Sequence, residues 1–394
     1  MVRWIENNIQ KSDHSSNMSL MDVETVDKIK QFHESFPHYA VTPLASLSKL
    51  SHELGVAGIY VKDESFRFGL GSFKALGCTF AIASYIAKTL GKSIWELDYK
   101  TLPEAAKKLG EFTFFAATDG NHGRAVAWAA RELGQKAVIY MNKGCPQVRL
   151  EHILKENAEA SISELNYDDT IRFVRDLAAK TPNSEIIQDT AWEGYEDIPG
   201  WIMQGYAVMA LEACRQLDDL KIKPTHFIIQ AGVGAFAGSA QALISNYYGK
   251  KTPVSFIVEP HVADCYHKSV KRGDGEPVNV AGDMQTIMAG LACGEPSISA
   301  WDILKNNGNF FVTIDDKHTE NAMRTLGRPK DGDPKVISGE SGASGMGFLL
   351  ELLTNDDLKE LQQKAKIDKN SVFLLFSTEG DTDPNNYQKI VFNK

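Results

Sequence analysis

Lys74 sits in the run Gly71-Ser72-Phe73-Lys74-Ala75-Leu76-Gly77, a lone cation among small and apolar residues. Upstream, Gly58-Ile59-Tyr60-Val61 reads as a strand that runs into the charged stretch Lys62-Asp63-Glu64. Downstream, the apolar spacing from Ala75 to Leu90 reads as a helix. Lys74 therefore falls in a helix's first turn, where the macrodipole disfavours a cation and relatively favours the neutral amine. A neutral amine is the form that condenses with an aldehyde cofactor to a Schiff base. A solvated surface lysine accounts for Lys-Ala-Leu-Gly as simply, so the run assigns no chemistry by itself.

Three later stretches carry further candidates. Gly232-Val233-Gly234-Ala235-Phe236-Ala237 follows the strand His226–Gln230 and opens a helix, so its backbone N–H groups face an anion. It matches the dinucleotide pattern G-x-G-x-x-G/A, but the acid at the next strand end, Glu259, lies 27 residues beyond Gly232 where about 20 is usual. A phosphate fits the loop, as does a purely structural glycine turn. Thr118-Asp119-Gly120-Asn121-His122-Gly123 ends an apolar run and reads either as a polar site loop or as a turn with a helix cap. Phe376-Ser377-Thr378-Glu379-Gly380-Asp381 closes a late strand and is ordinary in isolation.

The elements around these stretches alternate. Helices are expected at 23–32, 45–54, 75–90 and 102–109, then the run Phe112 to Ala117, apolar enough for a strand buried on both faces. Helix 124–133, strand 137–140, helix 147–157, strand 160–162, helix 168–180 and strand 185–188 follow. A second set comprises helix 201–216, strand 226–230, helix 236–248, strand 254–258 and the late strand 373–376. Strand and helix alternating at this spacing means parallel sheets with right-handed crossovers. The stretches 267–280 and 328–334 read as surface excursions.

Composition bounds the class. A chain of 394 residues, 43% hydrophobic and 24% charged, has the core of a one- or two-domain globular enzyme. A net charge of −9 without a basic block argues against nucleic acid, and no run approaches the length of a membrane span. The polar start, 1–17, carries no apolar signal segment, and five scattered cysteines fit free thiols in a reducing compartment; the cytoplasm is expected, with no metal site.

In chain order, a lysine at a helix start, a polar Asn loop, a glycine cradle and a terminal strand hydroxyl resemble the fold-type II pyridoxal-phosphate enzymes. That group includes tryptophan synthase β, cysteine synthase and threonine dehydratase. The resemblance runs from Thr42-Pro43-Leu44 to Ser377. It implies an α/β fold of two open, twisted, mainly parallel sheets flanked by helices, with pyridoxal 5'-phosphate in the interdomain cleft. Residues 1–81 with 205–394 would form the large domain and 82–204 a small inserted one. By the same resemblance Lys74 carries the Schiff base, Gly232, Val233, Gly234 and Ala235 hold the phosphate, Asn121 bonds the ring hydroxyl, and Ser377 meets the pyridine nitrogen. A homodimer is implied too.

Within the group, the combination of Ser72-Phe73-Lys74, Thr118 to Gly123, Gln230 to Ala235 and Ser377-Thr378-Glu379-Gly380-Asp381-Thr382-Asp383-Pro384 is similar to the diaminopropionate ammonia-lyase family. The phosphate loop, flanked by Ala231 and Ala235, departs from the four-glycine version common in threonine dehydratases. The activity implied is α,β-elimination of D- and L-2,3-diaminopropionate to pyruvate and two ammonia. An amine leaves readily only when protonated, and a nearby carboxylate favours the ammonium by roughly 1–4 kcal/mol. Asp119, where the dehydratase relatives carry a small residue, is the candidate; the resemblance also makes it the base for the D-isomer, with Lys74 serving the L-isomer. Asp189 could supply a further anion to the substrate amines or cap a following helix. Glu340, in Gly339-Glu340-Ser341-Gly342, falls where relatives line the cofactor pocket, or is a loop charge. His122 is expected to be structural, and Thr286 to Leu291 to wall the site. The rivals are a serine or threonine dehydratase of the same fold, a nicotinamide-dependent oxidoreductase built on the Gly232 loop, and a non-catalytic binding module.

Overall fold

A computed structural model describes residues 2–9 and 16–393. Part of the expected polar lead-in, residues 10–15, lies outside the described residues. The strands are β1 (Arg3–Glu6), β2 (Leu44–Ser46), β3 (Gly58–Asp63), β4 (Thr113–Thr118), β5 (Lys136–Met141), β6 (Glu159–Ile162), β7 (Ser184–Ile186), β8 (His226–Gln230), β9 (Val254–Pro260), β10 (Phe310–Ile314) and β11 (Val372–Ser377). They form a seven-stranded sheet ordered β1-β10-β9-β8-β11-β3-β2 and a four-stranded sheet ordered β6-β5-β4-β7. The four-stranded sheet is parallel throughout, whereas the larger one has antiparallel edges, β1 on β10 and β2 on β3. Both are built as the alternation implied, because a parallel pair needs a crossover long enough for a helix.

Strands covered on both faces are apolar along their whole length. Every residue of β8 and β10 is buried, and so is every residue of β3, including Lys62 and Asp63. The buried Lys62 is tolerated because its charge is matched, while Asp63 accepts from the Ser65 N–H at 3.0 Å. Lys62 Nζ lies 2.7 Å from Glu212 Oε2, Arg67 bridges Glu64 and Glu212 at 2.8 Å each, and Thr42 donates to Glu64 at 2.6 Å. Two cations and two carboxylates thus cancel in the interior, and they pin the segment leading to Lys74 against the helix Asp197–Asp219. Removing one member of such a network costs about 3–5 kcal/mol, since an unpaired buried charge is left behind. That helix crosses Lys74–Thr89 closely: a Cβ on Gly205 would stand 2.4 Å from the Leu76 carbonyl oxygen.

Several local expectations shift. The expected helix at 45–54 opens as strand β2, and its helical part is only Ser48–Glu53, because Leu44–Ser46 pairs with the edge of β3. The stretch 267–280 is in part a helix, Cys265–Arg272, with Tyr266, His267 and Val270 buried; its sparse apolar residues all fall on one face. Strands β1 and β10 and the helices Ile298–Asn307, Asp316–Gly327, Ser344–Thr354 and Pro384–Phe392 were not expected. All five cysteines are free thiols, and among the described residues no helix is long and apolar enough to cross a membrane.

Candidate active site

Ligand crevices in parallel sheets form beyond the carboxyl ends of the strands. Here the ends of β3, β4, β7, β8 and β11 converge on one cleft. They contribute Lys74, then Asp119 and Asn121, then Asp189, then residues 232–235, and finally Thr378 and Glu379. Residues 289–291 close one wall.

Lys74 is the first residue of the helix Lys74–Thr89, as its spacing implies, yet its amine is not neutral. Its Nζ donates to Asp189 Oδ2 at 2.5 Å. Burial pulls the lysine pKa down, but the Asp189 charge and hydrogen bond, with help from Asp119, outweigh burial and raise it. The helix-dipole expectation fails because a full charge at contact distance exceeds half a charge spread over the first turn. Burial likewise opposes the Asp189 charge, and Lys74 and His122 hold its pKa at about 2. Tyr206 donates to the same oxygen at 3.3 Å. No helix starts directly after Asp189, so the capping alternative falls.

The loop after β4 is held by Thr118, whose hydroxyl accepts from the N–H groups of Gly120 at 2.8 Å and Gly123 at 3.0 Å. The side chains of Asp119 and Asn121 are thereby released to the cleft. Arg149 Nη1 reaches Asp119 Oδ2 at 3.3 Å, and Asn121 donates to Glu379 Oε2. His122 is structural: its Nε2–H donates to the Ile187 carbonyl at 2.7 Å, which leaves Nδ1 to accept from the Cys78 thiol at 3.5 Å.

The helix Ala235–Tyr248 begins directly behind the glycines, and the first N–H groups of a helix have no partner inside it. Gly234 has φ 96°, and a Cβ there would stand 1.9 Å from the Tyr266 hydroxyl. That concave, N–H-lined turn suits a phosphate. Glu259 takes no part in it. Its carboxylate accepts from the N–H groups of Tyr266 at 2.8 Å and His267 at 2.7 Å, and burial pushes its pKa up to about 8. The acid that a dinucleotide site requires is thus a buried helix cap.

Two expected positions differ from their assigned places. Ser377 is buried behind the cleft, where its hydroxyl donates to Ser338 Oγ at 2.7 Å; it does not line the cleft, and the hydroxyl that does is Thr378. Side chains alternate along a strand, so the last residue of β11 and its successor face opposite ways. Glu340 is also outside the lining: it accepts from Asn386 at 2.6 Å and stands 3.9 Å from Arg149 Nη2. The glutamate that lines the cleft is Glu379, which fixes the Asn121 amide and accepts from the Ser341 N–H at 2.9 Å. Glu379 adjoins the strand-end hydroxyl and could have been singled out on that ground. Arg149 lies within an ordinary amphipathic helix, Gln147–Leu154, and carries no local signal.

A family model described as pyridoxal-phosphate dependent enzyme matches residues 35–373. The diaminopropionate ammonia-lyase of Salmonella typhimurium is 46% identical over 380 residues, 95% of this chain and 94% of that one. This chain belongs to the pyridoxal-phosphate dependent enzymes, in the diaminopropionate ammonia-lyase family. Among solved structures of that family, Escherichia coli diaminopropionate ammonia-lyase in complex with D-serine is 42% identical, covers 100% of this chain and 97% of its own, and has a TM-score of 0.92. The apo form of the same E. coli lyase, 38% identical with the same coverage, has a TM-score of 0.84. The fold is the fold-type II arrangement of this family, and the nicotinamide and non-catalytic alternatives fall with it.

Proposed function

We propose that this chain is a carbon–nitrogen lyase that eliminates ammonia from D- and L-2,3-diaminopropionate, leaving pyruvate and a second ammonia. The observation that carries this is the pair of carboxylates, Asp119 and Asp189, lining one cleft with Lys74 in a chain this similar to the Salmonella typhimurium lyase. Pyridoxal 5'-phosphate, when bound, supplies the electron sink that makes the substrate's α-proton removable and its β-substituent expellable. The cleft fits that group: an amine for its aldehyde at Lys74, a phosphate cradle at 232–235 whose turn needs the φ of 96° at Gly234, an amide at Asn121 for the ring hydroxyl, and a hydroxyl at Thr378 for the ring nitrogen. Thr378 Oγ1 already accepts from Gln230 Nε2 at 3.0 Å, which turns its own proton away from Gln230 and leaves it to donate.

The chain's own groups then divide the work. Asp189 Oδ2 holds the Nζ of Lys74 at the floor of the cleft. Lys74 Nζ, in its unprotonated form, takes the α-proton of the L-isomer, and Asp119 that of the D-isomer, since the two enantiomers present that proton to opposite faces. Both carboxylates favour an ammonium at the β-carbon, the form in which nitrogen leaves, and this disfavours a hydroxyl substrate such as serine. Residues 82–204, moving against 1–81 and 205–394, would close the cleft and exclude water. A homodimer in the cytoplasm completes the proposal, and light scattering of the purified protein tests the first part.

The test is an absorption spectrum of the purified chain, repeated after adding D- or L-2,3-diaminopropionate. A visible cofactor band that shifts with substrate as pyruvate forms, and is absent in Lys74→Ala, supports the assignment. Keto acid from serine or threonine alone would refute the substrate and leave the fold standing.

A further inference from the structure

Arg149 is 4% exposed, and its guanidinium is loosely held for so buried a cation. Its Nη1 donates to Asp119 Oδ2 at 3.3 Å and to the Asp119 carbonyl at 3.4 Å, its Nη2 stands 3.9 Å from Glu340 Oε2, and its Nε has no hydrogen-bond partner. Burial opposes its charge, while Glu379, Asp119 and Glu340 together more than restore it. Its aliphatic stem passes over Gly120, where a Cβ would stand 2.9 Å from Arg149 Cδ and where the backbone has φ 147°. The loop between Asp119 and Asn121 is thus shaped to admit this side chain. Asp119 and Arg149 belong to the body that carries the four-stranded sheet, whereas Glu340 and Glu379 belong to the one that carries the seven-stranded sheet.

We propose that Arg149 is a positioning residue for the elimination: it holds the Asp119 carboxylate in the cleft and ties its own body to the acidic wall of the other. The proposal rests on Asp119 serving the D-isomer. Lys74 has its own partner in Asp189, so Arg149 acts on one of the two bases and not on the other. A guanidinium reaches carboxylates on both sides at once; an ammonium reaches one. Long hydrogen bonds of this kind tighten when substrate fills a site.

The experiment compares Arg149→Met and Arg149→Lys with the unaltered holoenzyme on both enantiomers. In Arg149→Met, kcat for the D-isomer falls at least about tenfold further than kcat for the L-isomer, which loses only the help of Asp119 to the leaving amine, while KM for the D-isomer stays within about threefold; the excess is the size of effect a misplaced general base produces. Arg149→Lys gives a D/L ratio between the two. In the cofactor-free chain, amide exchange across Gln147–Leu154 is faster in Arg149→Met. Equal losses for both enantiomers, an unchanged D/L ratio, or unchanged exchange would overturn the proposal. Should Arg149→Met fail to fold, the Arg149→Lys ratio decides alone: a fall of about threefold supports, no fall refutes. Asp119→Asn separates the premise. If it spares the D-isomer, the assignment of Asp119 fails; if it abolishes D-elimination while both Arg149 variants keep the normal ratio, only the role of Arg149 fails.

Discussion

Asp189→Asn removes the charge facing Lys74 while keeping the side chain's shape. Two unit charges at the observed 2.5 Å attract by about 1.7 kcal/mol with water-like screening and about 6.6 kcal/mol at an effective dielectric near 20. With that attraction gone, the Lys74 pKa falls in the variant. Burial, which pulls it down in the native chain as well, is then opposed chiefly by the more weakly acting Asp119. Only the neutral amine condenses with an aldehyde, so the rate of cofactor capture reports this pKa. Stripped of cofactor and mixed with pyridoxal phosphate across a pH series, the native chain captures faster up to strongly alkaline pH, whereas the variant reaches its plateau at a lower pH. A plateau at the same or a higher pH would refute the charge pairing inferred from the geometry. Circular dichroism of both chains shows whether the comparison is between folded proteins.

Three further outcomes follow from the same contacts. Gly234→Ala forces an L-residue to φ 96° and drives the Tyr266 hydroxyl off the Val233 carbonyl, which it meets at 2.7 Å; a backbone cost of about 1–3 kcal/mol should weaken cofactor binding about fivefold or more by equilibrium titration. Thr378→Val should displace the cofactor's visible band and slow turnover while Ser377→Ala leaves the band in place; the reverse pattern would restore Ser377 to the site. Asp189 falls from an ordinary 3.8 to about 2, and a depressed carboxylate pKa contributes stability that is present above pH ~4 and lost as pH falls through about 2. The stability gap between the cofactor-free native chain and Asp189→Asn, read by urea unfolding, should therefore narrow by about 2 kcal/mol between pH 5 and pH 2. A constant gap would contradict it.

Much of the site was legible because a parallel-strand fold writes its ligand groups just after strand ends. Lys74, Asp119, Asn121 and residues 232–235 each follow an apolar run closely enough for sequence spacing to find them. The two sheets are legible for the same reason, apart from β1 in the polar lead-in, β2 at the start of a helix-like segment, and β10.

Four features were decided by tertiary structure alone. The charge state of Lys74 depends on Asp189, a partner 115 residues away. Which of Ser377 and Thr378 faces the cleft depends on the direction of the last strand residue, since a shift of one position reverses the face. Glu259 resembles a nucleotide-binding acid in sequence and is a buried cap in the fold, because the helix at Cys265 turns its N–H groups onto it. Arg149 has no local signature, and its relation to Asp119, Glu340 and Glu379 exists only once both sheet bodies are assembled. Backbone periodicity and turn chemistry act over a few residues and can be read in order along the chain. Electrostatic partnership acts through space between segments far apart in sequence, and only the assembled fold sets those distances.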